Sequence, residues 1–548
     1  MKKRFHDSAR RALMSAVAVS VLSLGQAGFA QSGPNAGNAA LLKVTAFKQA
    51  VAESVGEDEG IGTFYRARNF EPIWTSGSDE DRARRLALIE AFAMADDHGL
   101  PRGKFDAATL KSRMAQARTG RDRGLLELEL TRTYLEFAHD IQSGVLEPGK
   151  IVDGIKRVLP RRNANELLTR LVSEDPRAVM RSLPPSSPEY ARLLRAKLKL
   201  EHRIARGGWG QKVPASSLRP GDSGNSVVAL RNRLTAMGYL QPSLTQTYDG
   251  AIEAAVRELQ EDMGLEQDGI AGGNTMTAIN TAPETRLQSI MVAMERERWL
   301  NLPEGLGQRH VKVNLVNFHA QIFDDGKLTF QTKSVIGQHR PTHETPEFSD
   351  VMEHMVINPS WWVPRSIIAS EYLPAMRANP YAAGHLEVVD ASGRVVPRSI
   401  GFSQYSGRNF PFNMRQPPGP KNALGSVKFM FPNKYNIYLH DTPSQHLFAR
   451  EVRTFSHGCV RLDDPHDFAY ALLAKQTSDP EGYFHSILNT RQETQVDLVE
   501  PVPVHLIYRT AFTSAKGQMN YRNDVYERDG QLWRALQREG VVFRAGNS

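Results

Sequence analysis

The chain has 548 residues, too many for one hydrophobic core, so several domains are expected. Hydrophobic residues at 41% and charged residues at 23% exclude a wholly disordered chain. The formal charge is +8, half of it in the first eleven residues, where Lys2, Lys3, Arg4, Arg10 and Arg11 outweigh Asp7. The mild basicity left over suits an anionic polymer surface, and no lysine/arginine run resembles a nucleic-acid-binding arm.

The basic start is followed by the apolar stretch Ala12 to Leu24 and then by small residues ending Ala27-Gly28-Phe29-Ala30. This order reads as a signal peptide over residues 1–30, too short to span a bilayer comfortably. Residues 31–40 read as a disordered leader, and no later segment is apolar enough to cross a membrane. Cysteine usage then becomes informative. An exported chain usually pairs its thiols or avoids them, yet this one has a single cysteine, Cys459.

Residues 41–205 are expected to be mainly helical. Leu86, Ile89, Phe92 and Ala93 fall at helical spacing with Gly99 as a stop. Leu126, Leu130, Phe137 and Ile141 mark a second helix, and Tyr190, Leu194, Lys197 and Leu198 a third. Tyr65, Phe70 and Trp74 suit a core better than a ligand platform. Residues 206–217 read as a linker. A compact module follows at 218–281. Val227, Leu230 and Leu234 give one helix face before Gly238, and Ile252, Val256 and Leu259 give another before Gly264. With its glycine-punctuated turns the module resembles the small three-helix peptidoglycan-binding domain. Plain scaffold is the alternative reading.

A helix through Met291, Met294 and Trp299 leads into a strand-rich region at 284–515. Val311, Val313 and Leu315 alternate, and strands flank the turn Asp324-Asp325-Gly326. Residues 357–424 break the strand rhythm with proline, glycine and aromatics, including Trp361. An aromatic-rich insertion of this length suits a lid over a site. Residues 516–548 form a C-terminal segment without an assigned role.

Chemistry concentrates in two short elements. In 436–443, Ile437 and Leu439 face one side of a strand while Tyr438 and His440 face the other. In 456–462, Ser456-His457-Gly458-Cys459 precede Val460 and Arg461. An ordinary thiol is only a few per cent thiolate at neutral pH, so it needs a neighbouring base, and an imidazole suits. The backbone or side chain of Asp441 is placed to orient that imidazole. Amides near Gly458 and Cys459 suit an oxyanion, with His457 beside them, and Arg461 shares the face of Cys459 and suits a substrate carboxylate. A zinc site of His440, His457 and Cys459 is the competing reading, weakened by the lack of a tight ligand pair. His505 reads as a packed histidine.

His440, the fifteen-residue gap and Ser456-His457-Gly458-Cys459 resemble the signature of the L,D-transpeptidase catalytic domain. The family pattern often carries asparagine where this chain has Arg461. Ser-His-Gly-Cys-Val-Arg is similar to a large Gram-negative subfamily, as are Asn358-Pro359 with Trp361 and Asn422-Ala423-Leu424-Gly425. The resemblance implies an α+β multidomain chain: a helical scaffold domain, the three-helix module, and a mainly β, sandwich-like catalytic domain with a capping insertion. It implies Cys459 as nucleophile and His440 as base. Tyr438, Ser456, Arg461 and Trp361 would contact substrate. The reaction would be 3→3 cross-linking of peptidoglycan stems through a thioester with loss of D-alanine, acylated also by carbapenems. Hydrolysis by the same site, attachment of outer-membrane or periplasmic proteins to the wall, and a non-catalytic wall scaffold are the alternatives. No metal or organic cofactor is expected, and the expected location is the periplasm.

Overall fold

The computed structural model describes residues 45–56, 58–514 and 517–544. The expected signal peptide and leader lie outside the described residues. No helix among the described residues is long and apolar enough to cross a membrane.

The first region is helical because apolar residues recur at helical spacing between side-chain caps. Asp58, Ser78, Asp106 and Thr119 each accept a backbone N–H at a helix start, and Thr119 forms a reciprocal capping box with Asp122. Leu126, Leu130, Phe137 and Ile141 are all buried along the long helix Gly120–Ser143. Tyr65 and Trp74 lie in the core beneath it, with Phe70 packed against them. In the helix Asp79–Ala93 the buried face is Ala87, Leu88, Ala91 and Phe92, whereas Leu86 is exposed. The face expected from spacing was therefore rotated, because alanines rather than Leu86 meet the core. That helix also ends before Gly99, which turns the chain in a left-handed conformation further on.

The module consists of helices Asn225–Met237, Gly250–Met263 and Gly273–Asn280. Gly238 and Gly264 end the first two in the left-handed conformation that glycine adopts without strain. The module is not a bead on a tether. Val227, Leu230, Ile252 and Val256 share one buried cluster with Tyr190, Leu193 and Leu200 of the helix Pro188–Ala205, and with Trp533 of the C-terminal helix Arg528–Arg538. The expected linker belongs to this core as well. Trp209 and Val213 are buried, and the Arg233 guanidinium lies over Trp209 while donating to the carbonyls of Gly210, Ile279 and Thr281. An arginine that satisfies several carbonyls at once fixes the segment in place.

The strand-rich region is a sheet of nine strands: β1 (Arg309–Asn314), β2 (His319–Asp324), β3 (Lys327–Gly337), β4 (Phe348–Ile357), β5 (Val427–Met430), β6 (Leu439–His440), β7 (Thr454–Ser456), β8 (Val460–Leu462) and β9 (Thr494–Ile507). Their order is β7-β3-β8-β6-β5-β4-β9-β1-β2, and β2 pairs again with β3. That pairing closes eight of the strands into a ring and leaves β7 alongside β3 with a single partner. Alternating residues such as Val311, Val313, Leu439, Val460, Leu462 and Val504 fill the interior, with Phe468 and Phe484 from two helices packed on it.

Between β4 and β5 lies the expected insertion. It has its own three short strands, Trp361–Trp362, Glu387–Val389 and Asn413–Gln416, and its own core of Val363, Ile368, Leu373, Met376, Phe402, Phe410 and Met414. Asn422 ties its two ends together, donating to Pro359 O at 3.1 Å and Pro417 O at 3.0 Å.

Candidate active site

The two chemical elements meet because β6 and β8 are adjacent parallel strands. Leu439 pairs with Val460 and His440 with Arg461, and the Val460 amide donates to Tyr438 O. Paired residues point to the same face, so Leu439 and Val460 enter the core. Tyr438, His440, Cys459 and Arg461 consequently share the opposite face. His440 is the diagonal neighbour of Cys459, a spacing of about 7–8 Å between backbones that long side chains bridge.

His440 is buried, and its Nδ1 lies 2.5 Å from the carbonyl oxygen of Asp441. A carbonyl only accepts, so Nδ1 carries the proton and Nε2 presents its lone pair. Burial, then the Arg461 charge, pushes the imidazole down to about 3, so the ring is neutral at physiological pH. The orienting contact comes from the backbone of Asp441, not its side chain. The carboxylate instead accepts from the Ser426 amide at 2.8 Å, from the Ser426 hydroxyl at 2.7 Å and from the Thr442 amide at 2.6 Å.

Cys459 is half-buried, and burial pushes its thiol up to about 11. The Tyr438 backbone and phenol, followed by Arg461, act in the opposite direction. The thiol donates to the carbonyl of Asn436 at 3.5 Å rather than to His440. Asn433 builds the turn that presents this carbonyl, donating to Phe431 O and Ile437 O and accepting from the Tyr435 amide. Asn433 and Asn436 were given no site role from sequence. Only the positive φ that Asn436 adopts marks the turn, and asparagine tolerates it.

Ser456, expected to meet substrate, is buried and its hydroxyl is used internally. It donates to Cys459 O at 2.5 Å and accepts from the Gly458 amide at 3.1 Å. The Gly458 amide, expected to face an oxyanion, is thus engaged. Gly458 has φ +120°, and a Cβ there would approach Ile437 Cδ1 to 3.2 Å. Its carbonyl accepts from Thr345 Oγ1 at 2.7 Å. Thr345 is in turn held by Arg528, which donates to Thr345 O at 2.9 Å. The C-terminal segment therefore braces the loop that carries Cys459, which no local pattern announces. Arg461 faces the thiol, and its buried Nε makes no hydrogen bond among the described residues.

The insertion reaches the site at two points. The Trp361 indole lies beside the Tyr438 phenol, and Glu371 accepts from His457 Nε2 at 2.7 Å. His457 is therefore joined to the cap. His505 is far from this chemistry, bonded to Ser349 Oγ at 2.8 Å and Leu306 O at 2.9 Å.

A closed mainly β domain that presents a thiol and a tautomer-fixed imidazole on neighbouring parallel strands, beneath an inserted cap, has the architecture of an L,D-transpeptidase catalytic domain. Residues 308–482 match the family described as "L,D-transpeptidase catalytic domain". Residues 59–196 match a "Scaffold domain", and residues 223–279 a "Putative peptidoglycan binding domain". A Haemophilus influenzae protein named "Putative L,D-transpeptidase" is 31% identical over 257 residues, covering 46% of this chain and 51% of the relative. The chain thus spans about half the length of that curated relative. Among solved structures, an L,D-transpeptidase from Xylanimonas cellulosilytica shows 14% identity and a TM-score of 0.17, covering 54% of this chain and 98% of that one. One from Stackebrandtia nassauensis shows 16% identity and a TM-score of 0.22, covering 54% and 96%. Residues 59–482 thus carry in series matches to a scaffold domain, a peptidoglycan-binding domain and an L,D-transpeptidase catalytic domain.

Proposed function

We propose that this protein cross-links peptidoglycan stems in the periplasm through a thioester on Cys459. The supporting observation is the shared face of Cys459 and His440, with the imidazole proton held on Nδ1 by Asp441 O. Both groups are neutral at rest, since burial raises the thiol and lowers the imidazole. The thiol proton passes to His440 Nε2 as sulfur attacks the peptide carbonyl that precedes a terminal D-alanine. The step requires the Cys459 side chain to turn from Asn436 O toward His440 Nε2. The thioester forms, the carbon–nitrogen bond breaks, and the proton returns through His440 to the departing D-alanine amine.

With the Gly458 amide engaged by Ser456, the Cys459 amide is the nearer donor for the oxyanion. Arg461 is placed for a stem carboxylate, as its buried unpartnered Nε suggests. The side-chain amine of a second stem then attacks the thioester, giving a 3→3 link. Hydrolysis, and attachment of a protein amine, share the same acyl-enzyme and differ only in the acceptor. The cap favours an amine by limiting water.

Purified protein incubated with disaccharide-tetrapeptide is expected to yield dimer and free D-alanine. Cys459→Ala is expected to yield neither, while still pelleting with sacculi. Tripeptide without dimer would replace transfer with hydrolysis, and dimer formation by Cys459→Ala would sink the proposed mechanism.

A further inference from the structure

Three side chains next to the nucleophile loop take no part in this chemistry. His343 lies between β3 and β4, His457 two residues before Cys459, and Glu371 on a single π-turn of the cap, Ile368–Tyr372. One ligand-capable atom from each lies within 4.8 Å of those of the other two. The rings of His343 and His457 have centroids 4.6 Å apart. His457 Nε2 already bonds the Glu371 carboxylate.

The decisive atom is His343 Nε2, which is buried and has no hydrogen-bond partner among the described residues. The Nδ1 of the same ring lies 3.2 Å from Pro341 O, and also 3.2 Å from Thr342 Oγ1. Donation to the Pro341 carbonyl puts the proton on Nδ1 and leaves a bare lone pair on Nε2. A buried lone pair without a donor is costly, and an imidazole whose far nitrogen donates to a carbonyl is the usual form of a metal ligand.

We propose that His343, His457 and Glu371 form a divalent-cation site of the zinc class that clamps the cap onto the nucleophile loop. Two imidazoles and one carboxylate are a ligand set that zinc accepts, with water in the fourth position. Metal–ligand bonds of about 2.0 Å in a tetrahedron set ligand atoms about 3.3 Å apart, so only a modest contraction is needed. The three ligands come from three separate segments, the β3–β4 loop, the nucleophile loop and the cap. An ion bound there would hold the cap against the loop, replacing the single hydrogen bond between His457 and Glu371. The set differs from the zinc reading that sequence invites, because it uses neither His440 nor the thiol.

The test uses full-length Cys459→Ala protein, so that the thiol cannot supply a ligand. After chelation, zinc is titrated against a chromogenic competitor, and cobalt is added to read coordination by its visible bands. One zinc per chain and a tetrahedral cobalt spectrum are expected. Adding His343→Ala or Glu371→Gln to Cys459→Ala is expected to weaken zinc at least about tenfold. Glu371→Gln alters a partly exposed cap side chain and guards against misfolding of the first variant. Zinc is also expected to slow proteolysis within residues 361–416. No stoichiometric binding by Cys459→Ala, or equal affinity in either double variant, would overturn the site.

Discussion

At the scale of single residues, the chemistry depends on where protons rest. Because Asp441 orients the imidazole through its carbonyl, its carboxylate is not the third member of a catalytic triad. Asp441→Asn is therefore expected to keep β-lactam acylation of Cys459 within about tenfold of the parent. His440→Ala, which removes the proposed base, is expected to lose about 100-fold or more, both read by intact-protein mass spectrometry over time. Near-equal losses would move the orienting role to the carboxylate. The protonation states give a second expectation. With the thiol near 11, each pH unit below that value lowers the thiolate fraction tenfold. Alkylation of Cys459 by iodoacetamide should rise about 100-fold between pH 7 and pH 9. A rate already level at pH 7 would mean a pre-formed thiolate–imidazolium pair.

At the scale of elements, parallel pairing of β6 with β8 is what places His440 and Cys459, the proposed base and nucleophile, on one face. A shift of one residue would send His440 into the core, so the register carries the activity. The cap is a second element with its own apolar core, joined to the sheet by chain at both ends. Asn422 gathers the two ends with one buried side chain. Asn422→Ala leaves those carbonyls without their donor, a loss of about 1–3 kcal/mol. Protease cleavage within residues 361–416 is expected to accelerate while β-strand circular dichroism is retained. Unchanged cleavage would show that the cap is held from elsewhere.

At the scale of the whole molecule, the helix Pro283–Trp299 is the joint. Its buried Glu295, Arg296, Glu297 and Arg298 reach different partners: the Leu146 amide, Glu347 and Asp529, Arg509, and His98 O. Charges this deep are tolerated only because each is paired, and the pairing holds the scaffold, the catalytic sheet and the C-terminal helix in one arrangement. The module shares its core with the helices Pro188–Ala205, Pro283–Trp299 and Arg528–Arg538, so excising 218–281 would open that core as well. A gentler probe exists. A cavity of about 850 Å³ lies away from Cys459 where the helix Pro188–Ala205 meets the module, and Arg195, Lys199, Arg203 and Trp209 line it. A polymer bearing carboxylates suits these cations. Arg195→Glu with Lys199→Glu is expected to reduce sacculus pelleting without lowering the melting temperature. Undiminished pelleting would move wall binding to another surface.

Sequence alone was enough for those parts where function resides in contiguous residues. The signature around Cys459, the alternation that puts His440 opposite Leu439, the glycine-ended helices of the module and the irregular insertion are all local patterns. Local sterics and periodicity suffice to express them. Other features were legible only in part. Ser456 and Gly458 stood out as site residues, but their mutual hydrogen bond depends on a loop conformation that composition does not reveal. Thr345, Arg528 and the His343–Glu371–His457 cluster act through partners between 86 and 184 residues away. Only closure of the sheet and docking of the C-terminal segment bring them together, because a packed core selects contacts by shape and by the cost of burying unpaired polar groups, neither of which is written along the chain.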